Sequence, residues 1–491
     1  MPSQAELIAY ADRFGGDLAG LRALLDGPLA GLFGGVHVLP FYRPFDGADA
    51  GFDPQDHTEV DPRLGTWADI AALSAAGYQV MADVIVNHVS AQSPQFLAWL
   101  ASGEASPQAG MFLSYASVFP DGATEDTLLR IYRPRPGLPF TPYIRADGTR
   151  ALMWTTFTPQ QIDLDVRHPA TKAYLLSVLD QLAAAGAAYV RLDAVGYAVK
   201  TPGLSSFMTP DTFAFIAEIT AWCRERGLRV LVEVHSYYRH QVEVARQVDF
   251  VYDFALPPLV LHALTAADAG PLLGWLGQRP RNAFTVLDTH DGIGIIDVGP
   301  DATSPGRPGL LTPDQLSRLA RAIDDNSGGT SHRATGAAAS NLDLYQVNCT
   351  FYDALHRDDD RYLLARALQF FTPGIPQVYY VGLLAGGNDL DLLARTGTGR
   401  DINRHRYTGA EIARDLQRPV VQALARLIRF RNTHPAFDGT FSCSGGGSEL
   451  GLRWVNGEHE ATLTADLTAG TGSVTFSRNS RPSQCRLSDL P

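Results

Sequence analysis

The stretch Ala188-Tyr189-Val190-Arg191-Leu192-Asp193-Ala194-Val195-Gly196-Tyr197 begins as an apolar, β-branched run of the kind that forms a strand buried on both faces. It closes on Arg191 and Asp193, two residues apart, so strand alternation sends both side chains off one face. A charge pair at the end of a core strand is either a satisfied ion pair or part of a site. The surrounding sequence decides between the two.

Seven further runs of this kind, separated by stretches with helical periodicity, cover 6–10, 35–41, 78–86, 229–235, 250–255, 283–287 and 375–381. Eight strands alternating with helices predict an α/β chain, a (β/α)8 TIM barrel, whose chemistry sits where the strands end and the following loops begin. The alternation lapses twice and then changes character. The expected organisation is therefore a barrel formed by 1–87, 168–292 and 357–435, an inserted loop-rich subdomain over 88–167 and a second over 293–356. Short alternating segments with Asn456-Gly457 placed as a hairpin turn predict a small C-terminal antiparallel β-domain over 436–491.

Composition narrows the function classes. The 491 residues are 45% hydrophobic and 19% charged, enough for one large core. A formal charge of −12 argues against nucleic acid as a partner, which draws on clustered positive charge. No apolar run is long enough to span a membrane, and Met1 to Tyr10 lacks the form of a signal peptide, so a cytoplasmic protein with no membrane partner is expected. Cys223, Cys349, Cys443 and Cys485 are scattered without a paired motif and read as reduced thiols.

The candidates for chemistry lie at the strand ends. The second strand runs into the Asp-rich loop Pro44–Asp53, and the third closes as Asp83-Val84-Ile85-Val86-Asn87-His88. In the first insert, Ile131-Tyr132-Arg133-Pro134-Arg135-Pro136-Gly137-Leu138-Pro139-Phe140 is a proline-stiffened loop with two arginines, suited to an anion. Phe157-Thr158-Pro159-Gln160 supplies an aromatic and an amide. The fifth strand brings Glu233 and His235, the seventh Asp288 and Asp291, and the chain after the eighth Gly399-Arg400-Asp401.

Three acids at barrel strand ends suit glycosidic bond chemistry, in which one carboxylate attacks the anomeric carbon while a protonated one releases the leaving oxygen. Arg191 beside Asp193 favours its anion, and an apolar strand around Glu233 favours its protonated form. This makes Asp193 the nucleophile, Glu233 the acid/base and Asp291 the stabiliser of the oxocarbenium-like transition state.

Together, Asp83 with Asn87-His88, Arg191-Leu192-Asp193, Glu233 and His290-Asp291 resemble the four signature regions of the α-amylase family of retaining glycosidases. Within it the chain is most similar to the sucrose phosphorylases. That narrower resemblance is carried by Gly47–Asp53, Tyr132–Gly137, Glu233–Tyr238, Leu287–Gly292 and Asn341–Gln346. It implies a reversible phosphorolysis of sucrose by inorganic phosphate to glucose 1-phosphate and fructose, through a covalent glucosyl-enzyme. It further implies that Asp49 and Arg400 clasp the glucose hydroxyls, that His88, Arg191 and His290 hold the hydroxyls nearer the reacting carbon, and that Phe52 and Phe157 form apolar walls, with Leu192 also expected among the substrate-binding residues. Arg135, Gln160, Tyr197, His235, Leu342, Asp343, Leu344, Tyr345 and Gln346 match positions around the fructose and phosphate site.

No cofactor is implied. Asn87 matches a residue that binds calcium in some amylases, but no metal is expected here, and a homodimer is implied by the resemblance alone. The alternatives are a phosphorylase of glucosylglycerate, glucosylglycerol or sucrose 6'-phosphate, a sucrose hydrolase or transglucosidase and, from another class, a catalytically silent barrel used as a binding subunit.

Overall fold

The computed structural model describes residues 4–304, 306–336, 344–478 and 481–491. Eight parallel strands close into a barrel. They are β1 (Glu6–Ala9), β2 (Gly35–Val38), β3 (Gln79–Ile85), β4 (Tyr189–Asp193), β5 (Arg229–Val232), β6 (Phe250–Asp253), β7 (Ala283–Thr285) and β8 (Ile375–Tyr379). Each neighbours the next, and β1 pairs with both β2 and β8 to complete the ring.

All eight strands lie where the apolar runs predict, but they end earlier. Glu233 and His235 follow β5 rather than forming part of it, and the Glu233 amide still reaches the Leu192 carbonyl at 3.2 Å. Strand β4 shows why the sequence folds this way. Val190 and Leu192 are fully buried against the surrounding core, each worth roughly 1.5–3 kcal/mol. Arg191, between them, points into the barrel, and a charge at 190 or 192 instead would break the layer.

The barrel interior is polar for part of its depth. His37 Nε2 meets Asp83 Oδ2 at 2.9 Å, the Tyr252 hydroxyl donates to Gln377 Oε1 at 3.1 Å, and Gln377 Nε2 donates to Glu6 Oε2 at 2.9 Å. Burial raises the Glu6 carboxyl to about 8, against the opposing hydrogen bond from Gln377.

Helices begin where the sequence carries caps. Thr209 accepts from the Thr212 amide ahead of Pro210–Glu225, and His168 does the same for Ala170 ahead of Pro169–Ala184. Besides loops, the stretch after β7 contains the 14-residue helix Pro313–Asn326, opened by a Thr312 and Gln315 capping box. The lapse of strand–helix alternation over 293–356 predicts only a loop-rich insert.

The segment between β3 and β4 includes the antiparallel pairs His88–Ser90 with Gln161–Asp163 and Phe140–Ile144 with Arg150–Trp154. The C-terminal sheet is a meander of β9 (Thr440–Gly446), β10 (Glu449–Asn456), β11 (His459–Asp466), β12 (Thr471–Arg478) and β13 (Arg481–Arg486). Gly457, at φ 57°, makes the turn between β10 and β11 that Asn456-Gly457 predicts. Among the described residues, no helix is long and apolar enough to cross a membrane.

Candidate active site

A pocket opens at the carboxyl ends of the barrel strands, with a cavity of about 50 Å³. From the barrel it is lined by Asp193, Glu233, His235, His290 and Asp291, with Asp49, Phe52 and His88 from the earlier loops. Arg135 and Phe157 enter from the β3–β4 segment, which therefore covers the barrel mouth, while Tyr197, Tyr345 and Arg400 complete the wall.

Arg191 lies beneath this surface. Its Nη1 contacts Asp83 Oδ1 at 2.5 Å and Asp193 Oδ1 at 2.8 Å, so its charge is shared between two carboxylates. Asp83 is held at about 2, because His37 and Arg191 outweigh the effect of its burial. Asp193 departs from expectation: burial raises it well above the ordinary carboxylate range, Arg191 opposes this, and Glu233 and Asp83 add to the rise. Burial, with Glu233 and Asp83 beside it, thus outweighs the bias toward the anion that Arg191 supplies.

Glu233 does not stand in an apolar strand either. Its Oε2 accepts the Ala194 amide at 3.1 Å, and its Oε1 lies 3.7 Å from His235 Nε2. Ala194 has φ 54°, a left-handed backbone that costs a non-glycine residue about 1–2 kcal/mol. That turn aims the amide following Asp193 at Glu233. One atom each of Glu233, His235 and Asp291 lie within 4.8 Å of one another.

The closed end of the pocket is a charge network. Arg400 Nη1 contacts Asp291 Oδ1 at 2.8 Å, and its Nη2 donates to Gln346 Oε1 at 3.3 Å. Burial pushes Asp291 up, but Arg400, His290, His235 and Arg191 together hold it well below the usual range. Asp49 is likewise held low against its burial by Arg400, Arg404 and Arg135. His290 is driven well below its ordinary value by burial, and so is neutral where it stacks on Phe52, ring centroids 4.6 Å apart. His88 donates from Nε2 to the Phe52 carbonyl at 2.9 Å, and Phe157 packs against both His88 and Tyr197.

Not every predicted residue reaches the pocket. Gln160 is exposed, its carbonyl taken by the Ala91 amide at 2.8 Å. Gln161, one residue on, lines the cavity and donates to the Phe52 carbonyl at 3.3 Å. Gln160 closes the turn ahead of the strand Gln161–Asp163, and the first residue of that strand is the one whose side chain faces the cavity. Leu192 belongs to the core between barrel and helices, because alternation turns it away from Arg191 and Asp193. Leu344 packs half-buried against the core, and Gln346 reaches the site only through Arg400. Leu342 and Asp343 lie outside the described residues.

The structure adds residues that sequence reasoning missed. Asp297, fully buried, accepts His235 Nδ1 at 2.8 Å. Lys200 donates to Asn87 Oδ1 at 2.7 Å, contacts Asp163 Oδ2 at 2.6 Å and also reaches the Tyr197 carbonyl. These three oxygens surround an ammonium, so Asn87 does not offer a cation site that fits calcium. Only the rarity of lysine, two in the chain, could have drawn attention to Lys200.

A family model described as the α-amylase catalytic domain matches residues 5–254. The sucrose phosphorylase of Agrobacterium vitis is 56% identical over 479 residues, covering 97% of this chain and 98% of the relative. That of Bifidobacterium adolescentis is 53% identical, covering 96% and 94%. The solved structure of sucrose 6F-phosphate phosphorylase from Thermoanaerobacter thermosaccharolyticum superposes with a TM-score of 0.90 at 36% identity, covering 99% of both chains.

Proposed function

The chain belongs to the α-amylase family, and from that premise we propose that it catalyses the reversible phosphorolysis of sucrose to α-glucose 1-phosphate and fructose. The observation that carries this reading is one pocket in which an acid pair, Asp193 and Glu233, shares its walls with two cationic side chains, Arg135 and His235. The acids suit a retaining glycosyl transfer, and the cations suit an anionic acceptor. High identity to sucrose phosphorylases along nearly the whole chain supports sucrose as the donor.

In the first half-reaction the Asp193 carboxylate bonds to the anomeric carbon of glucose while the Glu233 carboxyl gives its proton to the departing fructose oxygen. Burial raises the Asp193 carboxyl, so this step requires sucrose to bind with Asp193 ionised and the proton on Glu233. Asp291, held anionic by Arg400, faces the positive charge that develops on the sugar ring. In the second half-reaction a phosphate oxygen attacks the same carbon, the ester bond to Asp193 breaks, and the phosphate proton passes to Glu233. Asp49 and Arg400 are assigned to the glucose hydroxyls, and Phe52, His88, Phe157 and His290 to the walls around the ring. Arg135, Tyr197, His235 and Tyr345 are assigned to the side where fructose and phosphate exchange.

A cytoplasmic location is proposed from four free cysteines, two of them buried. A homodimer is proposed through the β3–β4 segment, where Leu129, Leu138 and Ile144 are 71%, 50% and 64% exposed. Light scattering that returned only a monomer would remove the dimer. Products formed from sucrose with and without phosphate test the function itself.

A further inference from the structure

His235 is held from behind. Asp297 accepts its Nδ1–H at 2.8 Å, and the same carboxylate accepts the Ser236 amide at 3.1 Å and Gln241 Nε2 at 2.8 Å. The ring is clamped between Phe254, stacked at 3.8 Å, and the edge of Tyr345 at 5.9 Å. With Nδ1 committed to Asp297, Nε2 is aimed into the pocket, 3.7 Å from Glu233 Oε1 and 4.0 Å from Asp291 Oδ2. This buried nitrogen has no hydrogen-bond partner among the described residues.

Gly294 makes the contact possible. A Cβ there would fall 1.9 Å from Asp297 Oδ2 and 3.1 Å from His235 Nδ1. No side chain can occupy position 294 while Asp297 holds the histidine.

We propose that Asp297 is the positioning residue of the acceptor half-reaction, fixing His235 so that Nε2–H meets the phosphate oxygen entering beside Glu233 and favours phosphate over water. This rests on the phosphorolytic reading above and deepens it. A fixed donor helps an anionic acceptor more than a neutral one, because its hydrogen bond is charge-assisted. A buried carboxylate accepting Nδ1–H fixes the ring's orientation and stabilises the imidazolium, the form in which Nε2 also carries a proton. The charged groups facing the ring are Asp297, Glu233 and Asp291. Burial lowers the imidazole, but these three, Asp297 foremost, outweigh it and leave His235 raised above its ordinary value.

The test follows fructose, glucose 1-phosphate and glucose from sucrose at graded phosphate concentration and pH. For Asp297→Asn we expect the ratio of glucose 1-phosphate to glucose at fixed phosphate to fall about tenfold. Its decline with rising pH should also begin at lower pH, because His235 loses its main counter-charge. Gly294→Ala, which retains Asp297 but takes its space, should act in the same direction. In a His235→Asn background, Asp297→Asn should change the ratio no further. Wild-type ratios and pH profiles in both single variants would overturn the proposal, and so would an undiminished effect of Asp297→Asn without His235. If the unaltered protein releases fructose and only glucose, the phosphorolytic reading falls first and this inference with it.

Discussion

Glu233 Oε2 accepts the backbone amide of Ala194 at 3.1 Å, so the acid/base assigned here is tied to the residue directly following the assigned nucleophile, Asp193. The division of labour it supports is testable by varying what the leaving group requires. Glu233→Gln should reduce sucrose cleavage by about 10²–10⁴-fold, the usual contribution of general acid catalysis. α-Glucosyl fluoride, whose leaving group needs no proton, should lose far less. Equal losses on both donors would remove Glu233 from the acid role.

Arg400 and Asp291 make a second checkable pair, 2.8 Å apart. Burial raises Asp291, and Arg400 is the largest of the four opposing groups that together hold it low. Arg400→Ala should therefore let the Asp291 carboxyl rise, so that protonation sets in at higher pH. The acid limb of the kcat/KM profile should move upward, and activity at neutral pH should drop on the order of a hundredfold. An unmoved acid limb would show that another group sets it.

Lys200 tests the electrostatics of the site's support. Its ammonium contacts Asp163 at 2.6 Å and Asn87 at 2.7 Å with almost no solvent exposure. Lys200→Met leaves a buried carboxylate unpaired and should cost about 3–5 kcal/mol in denaturant unfolding. EDTA should leave the Tm of the unaltered protein where it is. A fall in Tm on chelation would mean that a metal, not this ammonium, serves the three oxygens.

Much of this site was legible because barrel chemistry collects at strand ends, and eight β-branched runs mark those ends clearly. Asp193, Glu233 and Asp291 could be read from where each run stops. The misses have physical causes. Gln160 ends a turn and Gln161 opens the strand Gln161–Asp163, a boundary the short Phe157-Thr158-Pro159-Gln160-Gln161 stretch does not mark. Leu192 was taken with its neighbours as a motif, although alternation turns it into the core. Asp297 lies in a stretch without periodicity, Gly294-Ile295-Ile296-Asp297, and its partner is 62 positions away in sequence. Local pattern cannot register such a contact. For the Asp193 carboxyl the sequence shows Arg191 beside it but not the burial, Glu233 and Asp83 that together outweigh it.

Glu6 gives a prediction about stability. Its carboxyl is raised to about 8 in the folded barrel from an ordinary value of 4.5. The folded state then binds a proton that the unfolded chain releases, so stability falls as pH rises from 4.5 toward 8, by roughly 3–5 kcal/mol in total. Glu6→Gln keeps an oxygen acceptor for Gln377 Nε2 without the titration and should flatten that part of the profile, measured as urea midpoint against pH. An unchanged slope would place the linkage elsewhere.

The most direct measurement is to incubate the purified protein with sucrose, with and without millimolar phosphate, and follow glucose 1-phosphate, fructose and glucose separately. The account predicts that with phosphate present, glucose 1-phosphate and fructose form together with little glucose, and that Asp193→Asn abolishes both. Equal glucose and fructose regardless of phosphate, or sucrose left intact, would contradict it.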